Sequence, residues 1–279
     1  MSTAAIALSG SGFRFPCHVG ALTAFQRTGI EIKELSGTSG GAMVAALAAS
    51  GIAPDVLQEI VYDLDTSNFM SFNWSALWKL GFSHGKHIEA ELKRHLQYKR
   101  FRDMEIPLSI VSTDVRTGNP MVFSTKNTPD FPVWQAVRAS IAIPFVLTPV
   151  TGLGRYGKEY ENLYLLDGGM VNNIPVSLLD IDAVDKVFGV HLIDKDPKAT
   201  ANAPFRIGSL AMQIVNLMLN AQEELQIASV DKPEDNVHII KVNTNDLLDF
   251  GRELTAKEKD DMFNAGFTEA LGMIGSLEW

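Results

Sequence analysis

Ser39 stands in Gly37-Thr38-Ser39-Gly40-Gly41, a Gly-x-Ser-x-Gly pentapeptide between a short apolar run and the alanine-rich stretch Ala42 to Ser50. A serine hydroxyl is a weak nucleophile until a sharp strand-to-helix turn lifts it clear of the backbone. Small neighbours on both sides let that turn form without clashes. The chemistry this spacing suggests is acyl transfer. Upstream, Ala4-Ala5-Ile6-Ala7-Leu8 runs into Ser9-Gly10-Ser11-Gly12-Phe13-Arg14, and a helical stretch follows from Val19 to Gln26. A glycine-rich loop at a helix N-terminus exposes backbone N–H groups where the aligned peptide dipoles favour negative charge. The anion it holds could be a nucleotide phosphate or the oxyanion of a tetrahedral intermediate, which needs donors about 3 Å from the developing charge. Phe15 replaces the third glycine of a dinucleotide fingerprint, and no Gly-Lys-Ser/Thr follows for a P-loop, which disfavours a nucleotide. Gly10, Ser11 and Gly12 are therefore candidate oxyanion donors, with Arg14 adding a cation or bracing the loop. Farther on, the apolar Leu163 to Leu166 ends in Asp167-Gly168-Gly169, followed by Asn172-Asn173-Ile174-Pro175. A carboxylate at a strand end, with two glycines that let other backbone come close, is a charged group set into a crowded site. Asp167 is the candidate base.

These residues need a scaffold that brings strand ends together. Apolar runs and helical stretches alternate along the chain, the pattern of a mostly parallel sheet covered on both faces. Leu108 to Thr113, Val187 to Ile193 and the apolar run Val237 to Val242 are further strand candidates, and Pro132 to Ser140 reads as a short helix. Ser209 to Ser229 carries Leu210, Ile214, Leu217, Met218, Ala221, Leu225 and Ala228 at helical spacing. Its methionines, Met212 and Met218, suit a buried face better than a mobile lid. Thr255-Ala256-Lys257-Glu258 is a capping box that starts a last helix with an expected apolar stripe of Phe263, Phe267, Leu271 and Ile274. No internal repeat or long linker interrupts the pattern. The loops at 151–160 and 195–204 are too short to force a second domain, so a single domain over 1–279 is expected.

Four ordered blocks resemble those of the patatin-like phospholipase family: the glycine loop at 10–14, the pentapeptide at 37–41, Ala139-Ser140-Ile141-Ala142-Ile143-Pro144, and Asp167-Gly168-Gly169. The likeness runs from about residue 4 to about residue 195. It implies a three-layer α/β/α sandwich with a mostly parallel central sheet. It also implies a Ser–Asp dyad without histidine, with Ser39 as nucleophile and Asp167 as base, and a chemistry that requires no metal or other cofactor. Two positions depart from the family's Gly-Gly-Gly-x-Arg/Lys-Gly loop. Ser11 replaces the middle glycine yet still supplies a backbone N–H, and Phe15 replaces the last, where it reshapes the turn or lines the acyl entrance.

A triad in the chain order serine, acid, histidine would take its histidine after Asp167, where His191 and His238 stand. Both lie inside apolar runs, whereas a triad histidine more often sits in a loop beyond a strand. The dyad is the expected arrangement. In it the carboxylate takes the serine proton during attack and returns it to the leaving group. His84 and His87 are three residues apart, but Gly85 intervenes and no Cys or acidic cluster completes a metal set, so they read as loop or surface residues. Asp114, ending the Leu108 to Thr113 run, is either a support for the site or a turn residue before Gly118.

With 279 residues, 46% of them apolar or aromatic, the chain can bury a large core. The net charge of −9 argues against nucleic acid as a partner and against electrostatic docking on anionic membranes. A single cysteine, Cys17, excludes an internal disulfide and reads as a small buried hydrophobe. No signal peptide and no run of 18 apolar residues is recognisable, which leads to the expectation of a cytoplasmic protein with peripheral membrane contact, although non-Sec export would leave no trace in such a reading. Phe69 to Phe82, with Trp74 and Trp78, could meet a membrane interface, wall an acyl groove or complete the core. The expected activity is hydrolysis of carboxylic esters in phospholipids or related lipids through an acyl-enzyme. The alternatives are a general esterase, thioesterase or acyltransferase with the same dyad, and a non-catalytic lipid-binding module. Oligomeric state leaves no mark in the sequence.

Overall fold

The computed structural model describes residues 1–64, 81–194, 236–244 and 253–279. The expected helix at 209–229, the loop at 195–204 and most of the aromatic stretch, with Trp74 and Trp78, lie outside the described residues. In chain order the elements are β1 (Thr3–Leu8), α1 (Phe15–Arg27), β2 (Glu31–Thr38), α2 (Gly40–Ala49), α3 (Pro54–Asp63), β3 (Gly81–Ser83), α4 (Lys86–Leu96), β4 (Leu108–Asp114), β5 (Asn119–Ser124), α5 (Val133–Ser140), β6 (Phe145–Leu147), β7 (Leu165–Asp167), β8 (Lys186–Asp194), β9 (Val237–Thr244) and α6 (Ala256–Ser276).

Among the described residues, seven strands form one mixed sheet in the order β5-β4-β2-β1-β8-β9, with β7 also paired to β4. The contacts of β4, β2, β1, β8 and β9 with one another are parallel, while β5 and β7 run antiparallel to β4. β3 and β6 make a separate parallel pair. The period of two sends alternate residues of β1 to opposite faces. Ala4, Ile6 and Leu8 join Phe188, Val190, Ile240 and the helical side chains in the main core. Ala5 and Ala7 join Val187, Val237, Ile239 and the segment carrying Ile174, Val176 and Leu179. Both faces are thus covered, which is why the inner strands read as nearly continuous apolar runs.

α6 starts where its capping box predicts: Thr255 Oγ1 accepts the Glu258 N–H at 3.2 Å, and the Glu258 carboxylate accepts the Thr255 N–H at 2.9 Å. Its buried line differs from the expected stripe. Lys259, Met262, Gly266, Ala270 and Ile274 face inward, and Leu271 is 41% exposed. The cause is the close approach of α1. A Cβ on Gly266 would lie 1.9 Å from the Cys17 carbonyl oxygen, and one on Gly20 would lie 2.0 Å from that of Phe263. Backbone meets backbone at this seam, so glycines occupy it, and Phe263 and Phe267 flank it half-buried with their rings stacked.

Candidate active site

Ser39 is the hinge residue between β2 and α2, with φ 54° and ψ −126°. That conformation is costly for a side-chain-bearing residue and persists only where surroundings over-determine it. Here the surroundings are backbone. A Cβ on Gly41 would lie 2.3 Å from the Ser9 carbonyl oxygen, and one on Gly40 would lie 2.2 Å from Ser11 Oγ and 2.7 Å from the Gly12 carbonyl oxygen. The small residues of the pentapeptide let the glycine loop press directly on the elbow. Ser39 is 6% exposed, and its N–H donates to Ser140 Oγ at 2.9 Å.

Asp167 comes to Ser39 along β4, which acts as a ruler. β2 and β7 share one edge of β4 and approach each other head-on: Thr38 at the end of β2 is opposite Val111, and Asp167 at the end of β7 is opposite Ser112. Adjacent register positions on β4 therefore bring together residues 128 apart in the chain, and Ser39 Oγ donates to Asp167 Oδ2 at 2.7 Å. The Gly169 N–H donates to the other carboxylate oxygen at 2.8 Å. Thr113 Oγ1 donates to the Asp167 carbonyl at 2.7 Å, and the Asp167 N–H donates to the Ala142 carbonyl at 2.9 Å. The Ser140 to Ala142 segment thus holds both partners through their backbones.

Burial raises the pKa of Asp167 to about 6, although the hydrogen bonds from Ser39 and Gly169 favour the carboxylate. Such a group is poised to exchange a proton near neutral pH. His191 and His238 sit mid-strand on β8 and β9, buried, and the two carboxylate oxygens of Asp167 are engaged by Ser39 and Gly169 instead. Burial beside Arg14 holds His191 low, at about 4, which disfavours its charged form.

Two of the three candidate oxyanion donors differ from the third. The Gly10 N–H is committed to the Asn173 carbonyl at 3.1 Å, whereas the amides of Ser11 and Gly12 make no hydrogen bond among the described residues. The Gly10 engagement also explains the Asn172-Asn173 segment after Asp167: Asn173 ties the acid's turn to the glycine loop, and Thr38 Oγ1 donates to the Asn172 carbonyl at 2.8 Å. Arg14 braces the loop, with its Nε donating to the Ser11 carbonyl at 3.3 Å and another guanidinium nitrogen to Thr244 Oγ1 at 3.1 Å. His18, unremarked in the sequence, lies beneath the loop, fully buried, with Nε2 2.8 Å from the Ser9 carbonyl. Burial drops its pKa to about 3, so it stays neutral and can donate that bond. Its one signal in the sequence is a polar residue in the otherwise apolar helix that follows the loop. Cys17 is buried and its thiol is pushed up to about 12, away from reactivity.

Asp114 is a turn residue: its carboxylate accepts from the Arg116 and Tyr164 N–H groups at 3.3 Å each and from Thr117 Oγ1 at 2.9 Å. By holding Tyr164 it steadies the entry to β7. His84 is half-buried in the turn after β3, and His87 is exposed on the first turn of α4. Ser39 borders an open apolar pocket, lined by Phe13, Phe15, Met43, Ile88, Ile143 and Val146 among others. Phe15 is 1% exposed, so the departure from the family's loop becomes part of the pocket wall.

The sequence and the overall fold are similar to those of known proteins. The chain is 30% identical to protein R571 of Acanthamoeba polyphaga mimivirus, with 98% of this chain and 94% of that one covered. It is 26% identical to YqhO of Bacillus subtilis, with 92% and 93% covered. Its fold resembles that of VipD from Legionella pneumophila, with a TM-score of 0.64 at 14% identity over 99% of this chain and 67% of VipD. The patatin-like phospholipase family matches residues 6–180, more than half of the sequence, and together with the four ordered motifs this places the chain in that family.

Proposed function

We propose that this protein is a serine acyl hydrolase that cleaves carboxylic ester bonds of phospholipids or related lipids. The observation that carries the reading is the 2.7 Å hydrogen bond from Ser39 Oγ to a buried carboxylate beside an apolar pocket. As Ser39 Oγ attacks the ester carbonyl carbon, its proton passes to Asp167 Oδ2. The carbonyl oxygen becomes an oxyanion, facing the unengaged amides of Ser11 and Gly12 and the N-terminal end of α2. Gly10 and Arg14 hold that loop in shape. Collapse of the intermediate expels the alcohol, which takes the proton from Asp167, and leaves an acyl group on Ser39. Water then attacks the acyl-enzyme, gives its proton to Asp167 and releases the fatty acid, with the proton returning to Ser39. No step needs a metal or an organic cofactor, and the pocket takes the acyl chain.

The test is fatty-acid release from phosphatidylcholine vesicles and from a soluble short-chain ester, with Ser39→Ala as control and a fluorophosphonate probe as a direct label of Ser39. Release from vesicles that disappears in Ser39→Ala is the expected result. Activity on the soluble ester alone would make the protein a general esterase, and a folded protein that neither labels nor turns over would make it a lipid-binding module.

A further inference from the structure

Ile143-Pro144-Phe145-Val146 is a tight turn in which the Val146 N–H donates to the Ile143 carbonyl at 3.1 Å and Phe145 has φ +67°. Proline at the second position with a left-handed residue at the third marks a type II turn, whose third position favours glycine or asparagine. A phenylalanine there is strained by its own Cβ. Burial does not compensate the strain, because the side chain is 46% exposed. The turn is not remote from the chemistry. Its first and last residues, Ile143 and Val146, line the pocket beside Ser39, and the Ala142 carbonyl just before the turn accepts the Asp167 N–H at 2.9 Å. An exposed aromatic ring therefore stands next to residues that line an apolar pocket, at a position where the backbone would accept glycine more readily.

We propose that Phe145 is an interfacial anchor that enters the surface of a zwitterionic phospholipid bilayer and seats the pocket mouth on it. The ring belongs at the boundary between headgroups and acyl chains, where apolar burial is gained without charge. Charge selects the surface: a protein of net charge −9 is repelled by anionic lipid, so its docking draws on apolar insertion into lipid of no net charge. The inference rests on the proposed lipid-ester hydrolysis, and its test separates the two.

Binding is read by cosedimentation with phosphatidylcholine vesicles in the non-hydrolysing Ser39→Ala protein, alone and combined with Phe145→Gly or Phe145→Trp. Catalysis is read with intact Ser39 on vesicles and on a soluble short-chain ester. Losing the partial burial of one phenylalanine ring predicts about a tenfold drop in vesicle partitioning and vesicle hydrolysis for Phe145→Gly. The tryptophan variant should bind as the parent does. Soluble-ester turnover and fluorophosphonate labelling should stay unchanged, and the melting temperature of Phe145→Gly should not fall, since glycine relieves the turn. Unchanged partitioning in Phe145→Gly would overturn the anchor, as would absence of vesicle binding by the parent. A parallel loss on the soluble ester would also overturn it, by making Phe145 a pocket-shaping residue. Vesicles bound through Phe145 but not hydrolysed, with Ser39 still labelling, would leave the anchor standing and remove the phospholipid reading.

Discussion

Two non-glycine residues beside one pocket carry left-handed φ, Ser39 at 54° and Phe145 at 67°, and their surroundings differ in kind. Ser39 is 6% exposed and held by polar groups at both ends, with its N–H on Ser140 Oγ and its Oγ on Asp167. Phe145 is 46% exposed, and a backbone turn bond holds the chain around it. The same backbone anomaly thus serves two ends. Strain enclosed by a polar network aims a reactive atom at a fixed partner, while strain under an exposed apolar ring presents that ring to something outside the molecule. The surroundings of a strained residue, more than the strain, indicate its use.

The comparison breaks most visibly at the enclosed residue. Ser39→Ala should lower kcat on every ester by about 10⁴-fold or more, and Asp167→Asn by a similar factor, because the two act as a unit. Replacing His191 or His238 by glutamine should leave kcat within severalfold in a folded protein. Collapse of turnover in either variant would return a histidine to the mechanism. No comparable loss is expected anywhere on the exposed turn.

Next in size is the pH response of Asp167. The proposed mechanism needs its carboxylate, so kcat/KM should rise as pH increases through about 6 and then level off. Stability should move the other way. The folded pKa is raised above the ordinary 3.8, so the contribution of the protonated group is complete below about 3.8 and lost as pH rises through about 6. At pH 8 the buried carboxylate then costs on the order of 3 kcal/mol. Asp167→Asn should consequently melt higher than the parent at pH 8 and gain less at pH 5. A larger gain at the acidic pH would contradict burial as the cause of the shift.

Smaller effects sharpen the contrast between the two turns. Ser140→Ala leaves the buried Ser39 N–H without its acceptor and should cost about 1–3 kcal/mol of stability, with kcat lowered about tenfold through the displaced elbow. Denaturant midpoints can then compare strain directly. Ser39→Gly should exceed Ser39→Ala by about 1 kcal/mol, because both lose the hydroxyl and glycine alone relieves the φ angle. Phe145→Gly should exceed Phe145→Ala by a similar margin. Unequal increments would mean that the two positive-φ residues are not strained alike.

Much of the scaffold is legible in the sequence for a physical reason: short-range signals encode it. Apolar runs mark β1, β4, β8 and β9; the Thr255 and Glu258 pair marks the start of α6; and the pentapeptide marks the elbow. The register of α6 is not legible. Phenylalanines at helical spacing suggest the buried stripe, yet Gly20 and Gly266 let two backbones meet and turn those rings to the flanks. The proposed oxyanion donors are legible as a set and not one by one, since the Asn173 carbonyl that engages the Gly10 amide lies on a distant turn. His18 illustrates the same limit, because its role depends on which carbonyl lies above it.

What the sequence by itself determined is the inventory: a serine among glycines at a strand end, an anion-competent loop, and an aspartate before two glycines. Each is a local pattern whose conformation depends on residues a few positions away. The tertiary structure alone decided that they meet. β2 and β7 end against neighbouring positions of β4, and that register closes a gap of 128 residues to 2.7 Å. It also decided that the Asp167 carboxylate is buried enough to hold a proton near pH 6. Burial and strand register are properties of packed neighbours, and no spacing along a single chain segment carries them.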